Sequence, residues 1–178
     1  MRMRLSQVLI SYAITIAMLI GLEIITSTLL PVLGWKEYRL TFNVLIILFL
    51  AIRMDSPGVP WMILGLQMVH SIFSIEGWAL GTLAGVIVML SANYLKELLH
   101  LTTAFMTMLV VQFFQVIWFF TVTLVICLKI GDFDKFGLFI GSFIPGSIFL
   151  SLISPILFWI LGLIWRVPSD GGPRGVEI

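Results

Sequence analysis

The sequence contains little charge and little cysteine. Of its 178 residues, 11% are charged and 60% are hydrophobic, and the mean hydropathy is +1.14. No water-soluble domain of this length could bury so much apolar surface, so composition excludes a soluble globular class. A net charge of +1 supplies neither a basic field for nucleic acid nor an acidic tail. Cys127 is the single cysteine, which excludes an internal disulfide. We expect an integral membrane protein whose partners lie in the bilayer.

Groups for catalysis and metal binding are also scarce. The only histidines are His70 and His100, and the sequence has no GxSxG, P-loop, dinucleotide or CxxC motif. An intramembrane aspartyl protease needs two carboxylates that share a proton, and a metal site needs clustered ligands. Glu23 is the only acid predicted inside a helix, because the aspartates fall in predicted loops or the tail (Asp55, Asp132, Asp134 and Asp170). The sequence therefore predicts a protein that is not an enzyme and has no cofactor and no metal.

Six apolar stretches predict an all-α polytopic bundle of about six transmembrane segments. They run over residues 8–30, 40–52, 61–74, 78–95, 103–128 and 138–165. Because a crossing needs about 20 residues, the second and third stretches are short. Either they cross a thinned membrane or both are half-helices packed inside the bundle. Pro31 and Gly34 predict the end of the first helix, and Pro145 predicts an interruption of the last.

The ends of the chain are predicted to lie in the cytoplasm. Residues 1–166 form one transmembrane domain, and residues 167–178 are predicted to be a polar, disordered cytoplasmic tail. With six crossings, six basic residues fall inside (Arg2, Arg4, Arg53, Lys96, Arg166 and Arg174) and four outside (Lys36, Arg39, Lys129 and Lys135). This bias favours an N-in/C-in topology. The first helix is expected to remain as an anchor, because no signal-peptide cleavage site follows it.

Polar residues recur on one face of the third segment. Gln67, His70, Ser71 and Ser74 are spaced as i, i+3, i+4 and i+7, which predicts a polar stripe on an apolar helix. Such groups at membrane depth are costly unless they face protein or water. We interpret His70 as a neutral, hydrogen-bonded residue rather than a ligand. Glu23 has two interpretations: it reaches the headgroups, or it pairs with another helix.

Glycines repeat every four residues on the fourth segment. Gly77, Gly81 and Gly85 remove side chains from one face, which allows another backbone to approach closely. Gly137 and Gly141 have the same spacing on the last segment. These five glycines are candidates for packing against a partner helix. The alternative is that they pack the protein only against itself.

Three features together resemble a known family. The first helix ends in the turn STLLPVLG at 27–34, the next hydrophobic segment closes on Arg53, and a glycine-bearing helical hairpin follows at 65–85. This layout, over residues 20–125, resembles the rod shape-determining protein MreD family. The family often has an aspartate near the position of His70, so this chain departs from the family pattern there.

The resemblance implies a non-enzymatic role in the bacterial inner membrane. A member of that family would bind MreC, a single-pass protein with a periplasmic coiled coil. Through MreC it would be tied to MreB filaments, RodA and the class B penicillin-binding protein, and so to lateral peptidoglycan synthesis and cell shape. Among the residues, the glycine face and the polar stripe supply a plausible dock for a partner helix.

A second function stays open. A substrate-binding S-component of an energy-coupling-factor vitamin transporter is similar in size and helix number. Such a protein would hold a solute near the outer side, where Gln67, His70, Trp35, Glu76 and Trp78 could converge. It would also have small residues at four-residue spacing on its first helix to dock a coupling subunit, and Ala13 and Ala17 match this in part.

Overall fold

The computed structural model describes residues 5–32, 40–74, 77–96, 103–133, 136–165 and 176–177. Within those residues the chain forms six α-helices and one pair of two-residue β-strands. They are α1 (Leu5–Val32), α2 (Phe42–Arg53), β1 (Met54–Asp55), α3 (Val59–His70), α4 (Trp78–Leu95), α5 (Ala104–Ile130), α6 (Phe136–Ile164) and β2 (Val176–Glu177). Every predicted helix is present, with each boundary within four residues of the predicted one.

Four of these helices are long and apolar enough to cross a membrane. The spans are Ser6–Thr28 in α1, Trp78–Leu95, Ala104–Ile130 and Phe139–Ile164. The protein is therefore a helical membrane bundle. Helices α2 and α3 have 12 residues each, a rise of about 18 Å, whereas the hydrocarbon core of a bilayer is about 30 Å thick.

Helix α2 lies at the centre of the bundle. The other five helices all contact it, and they contact one another as a closed ring in the order α1, α3, α4, α5, α6 and back to α1. Every residue from Phe42 to Ile52 is buried. A helix that is apolar on all sides is stable only when it is surrounded. The structure thus shows α2 packed inside the bundle, where its length does not have to match the bilayer.

The outer surface of the ring is apolar. Large side chains such as Ile10, Phe113, Leu124, Ile148 and Trp159 point away from the protein and are exposed. Contiguous apolar surface of this kind requires lipid around it. Helix α3 is intermediate, because it buries Ile63 and Leu66 while its opposite face exposes other side chains.

Prolines lie inside two helices without ending them. Helix α1 continues through Pro31 to Val32, and α6 runs unbroken through Pro145 and Pro155. The predicted interruption at Pro145 is therefore wrong. Helix α1 ends at Val32, one residue after Pro31 and close to the predicted end, and Gly34 lies outside the described residues. At Pro155 the physical reason is visible. Proline has no N–H for the carbonyl of Ser151, and the hydroxyl of Ser154 donates to that carbonyl instead, at 2.7 Å.

Polar contacts join the two ends of the helical domain. Ser11 Oγ donates to the carbonyl oxygen of Ile164 at 2.9 Å, and the indole Nε1 of Trp165 donates to Thr15 Oγ1 at 3.0 Å. Both contacts link α1 to the end of α6, and Trp165 is buried. They close the ring of helices around α2.

The short strands pair in parallel beside the end of α2. Met54 is opposite Val176, and Asp55 is opposite Glu177. Residues 166–175 and Ile178 lie outside the described residues, so the predicted disorder of the tail stays a prediction.

Candidate functional site

An acid and a histidine meet inside the bundle. Glu23 is nine residues before the end of α1, and His70 is the last residue of α3. His70 Nδ1 lies 2.8 Å from Glu23 Oε1, and each residue is 6% exposed. A carboxylate alone at this depth is costly, and the imidazole supplies its partner. Of the two interpretations of Glu23, the structure shows pairing with another helix.

Two amides meet beside this pair. Asn43 Nδ2 donates to Gln67 Oε1 at 3.4 Å, and their exposed fractions are 0% and 1%. Gln67 lies one helical turn before His70 on α3, so its face is continuous with that of the Glu23–His70 pair. Asn43 was not predicted as a site residue. Its signal in the sequence is that it is the only amide in the apolar stretch of α2.

The polar cluster, defined as Glu23, Asn43, Gln67 and His70, lies toward one end of the bundle. At that end α1 and α3 finish and α2 and α4 begin. Side-chain contacts thus connect α1 with α3 and α2 with α3 inside the protein. Interhelical hydrogen bonds of this kind contribute about 0.6 kcal/mol each on average in a membrane protein.

Part of the hydrogen-bonding capacity of this cluster is unused within the described residues. Asn43 Oδ1, Gln67 Nε2 and His70 Nε2 are buried and contact no hydrogen-bond partner in the part of the chain that the structure describes. The Nε1 of Trp118, on α5, is also buried and has no hydrogen-bond partner among the described residues. Most buried polar atoms in proteins have a partner, and each exception needs an explanation.

The predicted polar stripe is shorter than its spacing indicates. Helix α3 ends at His70, and the chain turns through Ser71, Ile72 and Phe73. Ser71 Oγ donates to the carbonyl oxygen of Met68 at 2.7 Å, a local contact, and Ser71 is half-buried. Ser74 lies beyond the turn. Ser71 is the C-cap of α3, has helical dihedral angles, and donates its N–H to the carbonyl oxygen of Gln67. The helical spacing therefore holds for Gln67, His70 and Ser71 and ends before Ser74.

The glycines of α4 have two different surroundings. Gly77 precedes the helix as its N-cap, with φ = 76°, which glycine adopts without strain. Gly81 and Gly85 are buried. A Cβ at Gly81 would collide with the Gln67 side chain, and a Cβ at Gly85 would be 2.8 Å from Ile63 Cγ2 and 3.1 Å from Ile47 Cδ1.

Two alternatives were open for Gly77, Gly81 and Gly85: packing against a partner helix, or packing of the protein only against itself. The structure shows self-packing at Gly81 and Gly85. Gly77 lies outside α4, and α2 and α3 of the same chain already occupy the face of Gly81 and Gly85. By contrast, Gly137 and Gly141 on α6 are exposed, and among the described residues a Cβ there would meet nothing within 4 Å. Partner packing at these two glycines stays a prediction.

A second polar cluster joins α5 and α6. Gln115 Nε2 donates to Ser151 Oγ at 3.1 Å, and Ser151 Oγ donates to Gln112 Oε1 at 2.6 Å. Gln112 Nε2 also donates to Ser147 Oγ at 3.1 Å. The amides of one helix therefore match the hydroxyls of the other. The small residues of α6 act here as hydrogen-bond partners as well as spacers.

The predicted solute pocket is only partly described. Gln67 and His70 lie in the polar cluster, whereas Trp78 is exposed, and Trp35 and Glu76 lie outside the described residues. A cavity of about 380 Å³ lies at the other end of the bundle, between the end of α2, the start of α3 and the end of α4. Its lining includes Met54, Ser56, Pro57, Pro60, Met89 and Asn93.

In the described part of the chain, His, Cys, Asp and Glu side chains form no group of three or more that could hold a metal ion. No protein-family model, curated protein or solved structure matches this chain. The chemistry of the site and the resemblance in layout are therefore the observations from which a function is inferred.

Proposed function

We propose that this protein is a non-enzymatic component of the bacterial cell-elongation complex, of the MreD type, in the cytoplasmic membrane. Its role is to bind MreC and thereby help organise lateral peptidoglycan synthesis. The observation that carries the proposal is that the intramembrane polar residues pair with one another across helices. Glu23 with His70 and Asn43 with Gln67 join separate helices, which favours a fixed scaffold. The layout of residues 20–125 supports the proposed assignment to the MreD family.

The proposal includes six crossings with both ends in the cytoplasm. Successive helices then alternate in direction, with α2 crossing inside the ring and α3 crossing as a member of it, despite their short length. This topology puts the polar cluster in the outer half of the bundle and the start of α6 at the outer surface. The distribution of Lys and Arg supports it.

The surface proposed for the partner helix is the exposed glycine face of α6. Gly137 and Gly141 are one turn apart and have open space above them, so a second backbone could approach closely. The face lies at the outer side in the proposed topology, where a single-pass protein continues into its periplasmic part. RodA, the class B penicillin-binding protein and MreB would be reached through that partner.

A matched pair of glycine variants tests this surface. Gly141→Leu fills the proposed docking face, and Gly162→Leu adds the same side chain on α6 where a Cβ also meets nothing within 4 Å. We expect Gly141→Leu to reduce recovery of the partner at least tenfold and to give round or widened cells, with the amount of protein in the membrane unchanged. Gly162→Leu should behave as wild type. Equal partner recovery in the two variants would contradict the docking surface.

One observation favours the second function, the S-component of an energy-coupling-factor transporter. Ala13 and Ala17 are both exposed and one turn apart on α1, as expected for a helix that docks a coupling subunit. Ala13→Leu with Ala17→Leu would then remove ATPase subunits from the purified complex. For an elongation component the same double variant leaves partner recovery unchanged.

A further inference from the structure

Three buried polar atoms of the polar cluster have no hydrogen-bond partner within the described residues. The Asn43–Gln67 contact uses one amide donor and one amide acceptor, and it leaves one acceptor, Asn43 Oδ1, and one donor, Gln67 Nε2. Exchanging the oxygen and nitrogen of both amides leaves the same inventory, one donor and one acceptor. His70 adds a third atom, Nε2, one turn along α3.

The role of His70 Nε2 follows from its other nitrogen. When Glu23 is ionised and His70 is neutral, Nδ1 must carry the proton and donate to Glu23 Oε1, 2.8 Å away. Nε2 is then an acceptor. With a neutral His70 that donates from Nδ1, the three unpartnered atoms comprise two acceptors and one donor, all on residues that are more than 90% buried.

We propose that these three atoms form a binding site for a small uncharged ligand group with two hydrogen-bond donors and one acceptor. An ordered water matches this inventory, because its two O–H groups donate to Asn43 Oδ1 and His70 Nε2 while its oxygen accepts from Gln67 Nε2. A terminal carboxamide of a solute offers the same groups, whereas a single hydroxyl has only one donor. The bound group joins the Glu23–His70 and Asn43–Gln67 pairs into one network.

The site explains an otherwise unfavourable arrangement. A buried polar atom without a partner costs about 1–3 kcal/mol, and three such atoms would favour apolar side chains at these positions. Gly81 also contributes, because its missing side chain leaves room for Gln67 beside α4. The site is independent of the proposed docking surface on α6 and goes beyond the proposed function.

The direct test is a cryo-electron microscopy map of the full chain in a lipid nanodisc, with a bound antibody fragment, at a resolution that shows ordered waters. We expect density within hydrogen-bond distance of Asn43, Gln67 and His70. A water-sized peak identifies water as the source. A larger feature, together with a small molecule released on denaturation and found by mass spectrometry, identifies a solute. An empty site in a map that shows waters elsewhere would overturn the proposal.

Paired variants test the same claim without a map. Asn43→Leu with Gln67→Met replaces both amides by apolar side chains of similar size. If the site is filled, this double variant loses the ligand and leaves His70 Nε2 without a hydrogen-bond partner. We then expect the melting temperature to fall by about 2–4 °C or more. If the atoms have no ligand, the double variant removes two unsatisfied groups and the melting temperature rises, which contradicts the proposal. Asn93→Leu, at an exposed amide, is the control.

Discussion

At the scale of single residues, the structure is dominated by polar side chains that find partners inside an apolar bundle. Glu23 and His70 are the clearest case, because each is buried and each contacts the other. Sequence spacing placed His70 at membrane depth and left two interpretations for Glu23, contact with the headgroups or pairing with another helix. It could not identify them as partners, because periodicity assigns a residue to a face of its own helix and carries no information about the helix opposite.

The Glu23–His70 pair predicts a compensating double substitution. His70→Leu should destabilise the protein by about 3–5 kcal/mol, because it leaves the Glu23 carboxylate buried without a partner. Glu23→Leu should cost about 1–3 kcal/mol, because it leaves the N–H of a neutral imidazole buried without a partner. The double variant should recover most of that loss, because neither partner is then left unpaired. Unfolding free energies in detergent measure both effects. Ser71→Ala, at a half-buried hydroxyl with only a local contact, should change stability by less than about 0.5 kcal/mol. A double variant as unstable as the sum of the two single variants would argue against the pairing.

At the scale of helices, α6 shows how a proline is tolerated in a membrane span. Ser154 Oγ donates to the carbonyl oxygen of Ser151, which receives no hydrogen bond from Pro155 because proline has no N–H. The sequence predicts an interruption at Pro145, and α6 continues through it instead. At Pro155 the preceding serine is the local signal in the sequence that the helix can continue.

In α6 a serine hydroxyl replaces the backbone N–H that proline lacks. A second variant that restores this N–H should therefore recover the stability lost when the hydroxyl is removed. Ser154→Ala should destabilise the protein by about 0.6 kcal/mol, and by no more than about 1.7 kcal/mol, because the Ser151 carbonyl loses its donor. Adding Pro155→Ala restores a backbone N–H and should return stability to the wild-type value or above. Ser142→Ala is the matched control, since Ser142 donates to the Phe139 carbonyl and Phe143 supplies a backbone N–H there. Failure of Pro155→Ala to rescue Ser154→Ala in thermal unfolding would refute the explanation.

Because α4 packs closely against its neighbours, leucine substitutions at different glycines should lower the stability of the protein by different amounts. Gly85→Leu should destabilise the isolated protein by about 1–3 kcal/mol, because the new side chain must displace Ile63 and Ile47. Gly81→Leu should have a similar cost through displacement of Gln67. Gly137→Leu should leave the isolated protein as stable as wild type, since no atom in the described part of the chain lies within 4 Å of a Cβ there. Thermal unfolding of the three purified variants provides the comparison, and equal melting temperatures would contradict the packing described for α4.

At the scale of the whole molecule, the defining feature is one helix enclosed by five. All six helices were predicted from apolar runs bounded by proline, glycine and charge, which are local signals. The ring around α2 could not be predicted, because it depends on contacts between segments far apart in the sequence. The role of Asn43 was missed for the same reason, since its partner Gln67 is on another helix.

The enclosed position of α2 predicts protection from lipid. A lipid-soluble diazirine reagent, activated by light in the native membrane and mapped by mass spectrometry, should label the exposed faces of α5 and α6 well above background. Peptides covering residues 42–52 should remain at background, because every side chain there is buried. The same peptides should become labelled after unfolding in sodium dodecyl sulfate. Labelling of α2 in the native membrane to the level of α5 would show that α2 faces lipid.

The proposed function depends most directly on what this protein binds in its own membrane. The measurement is quantitative mass spectrometry of the tagged wild-type protein, purified in mild detergent, with co-purified proteins and retained small molecules scored together. We expect a single-pass coiled-coil protein in near-equal amount, accompanied by wall-synthesis enzymes at lower yield. Recovery of ATPase subunits with a vitamin-like solute, and of no coiled-coil partner, would contradict the assignment to the elongation complex.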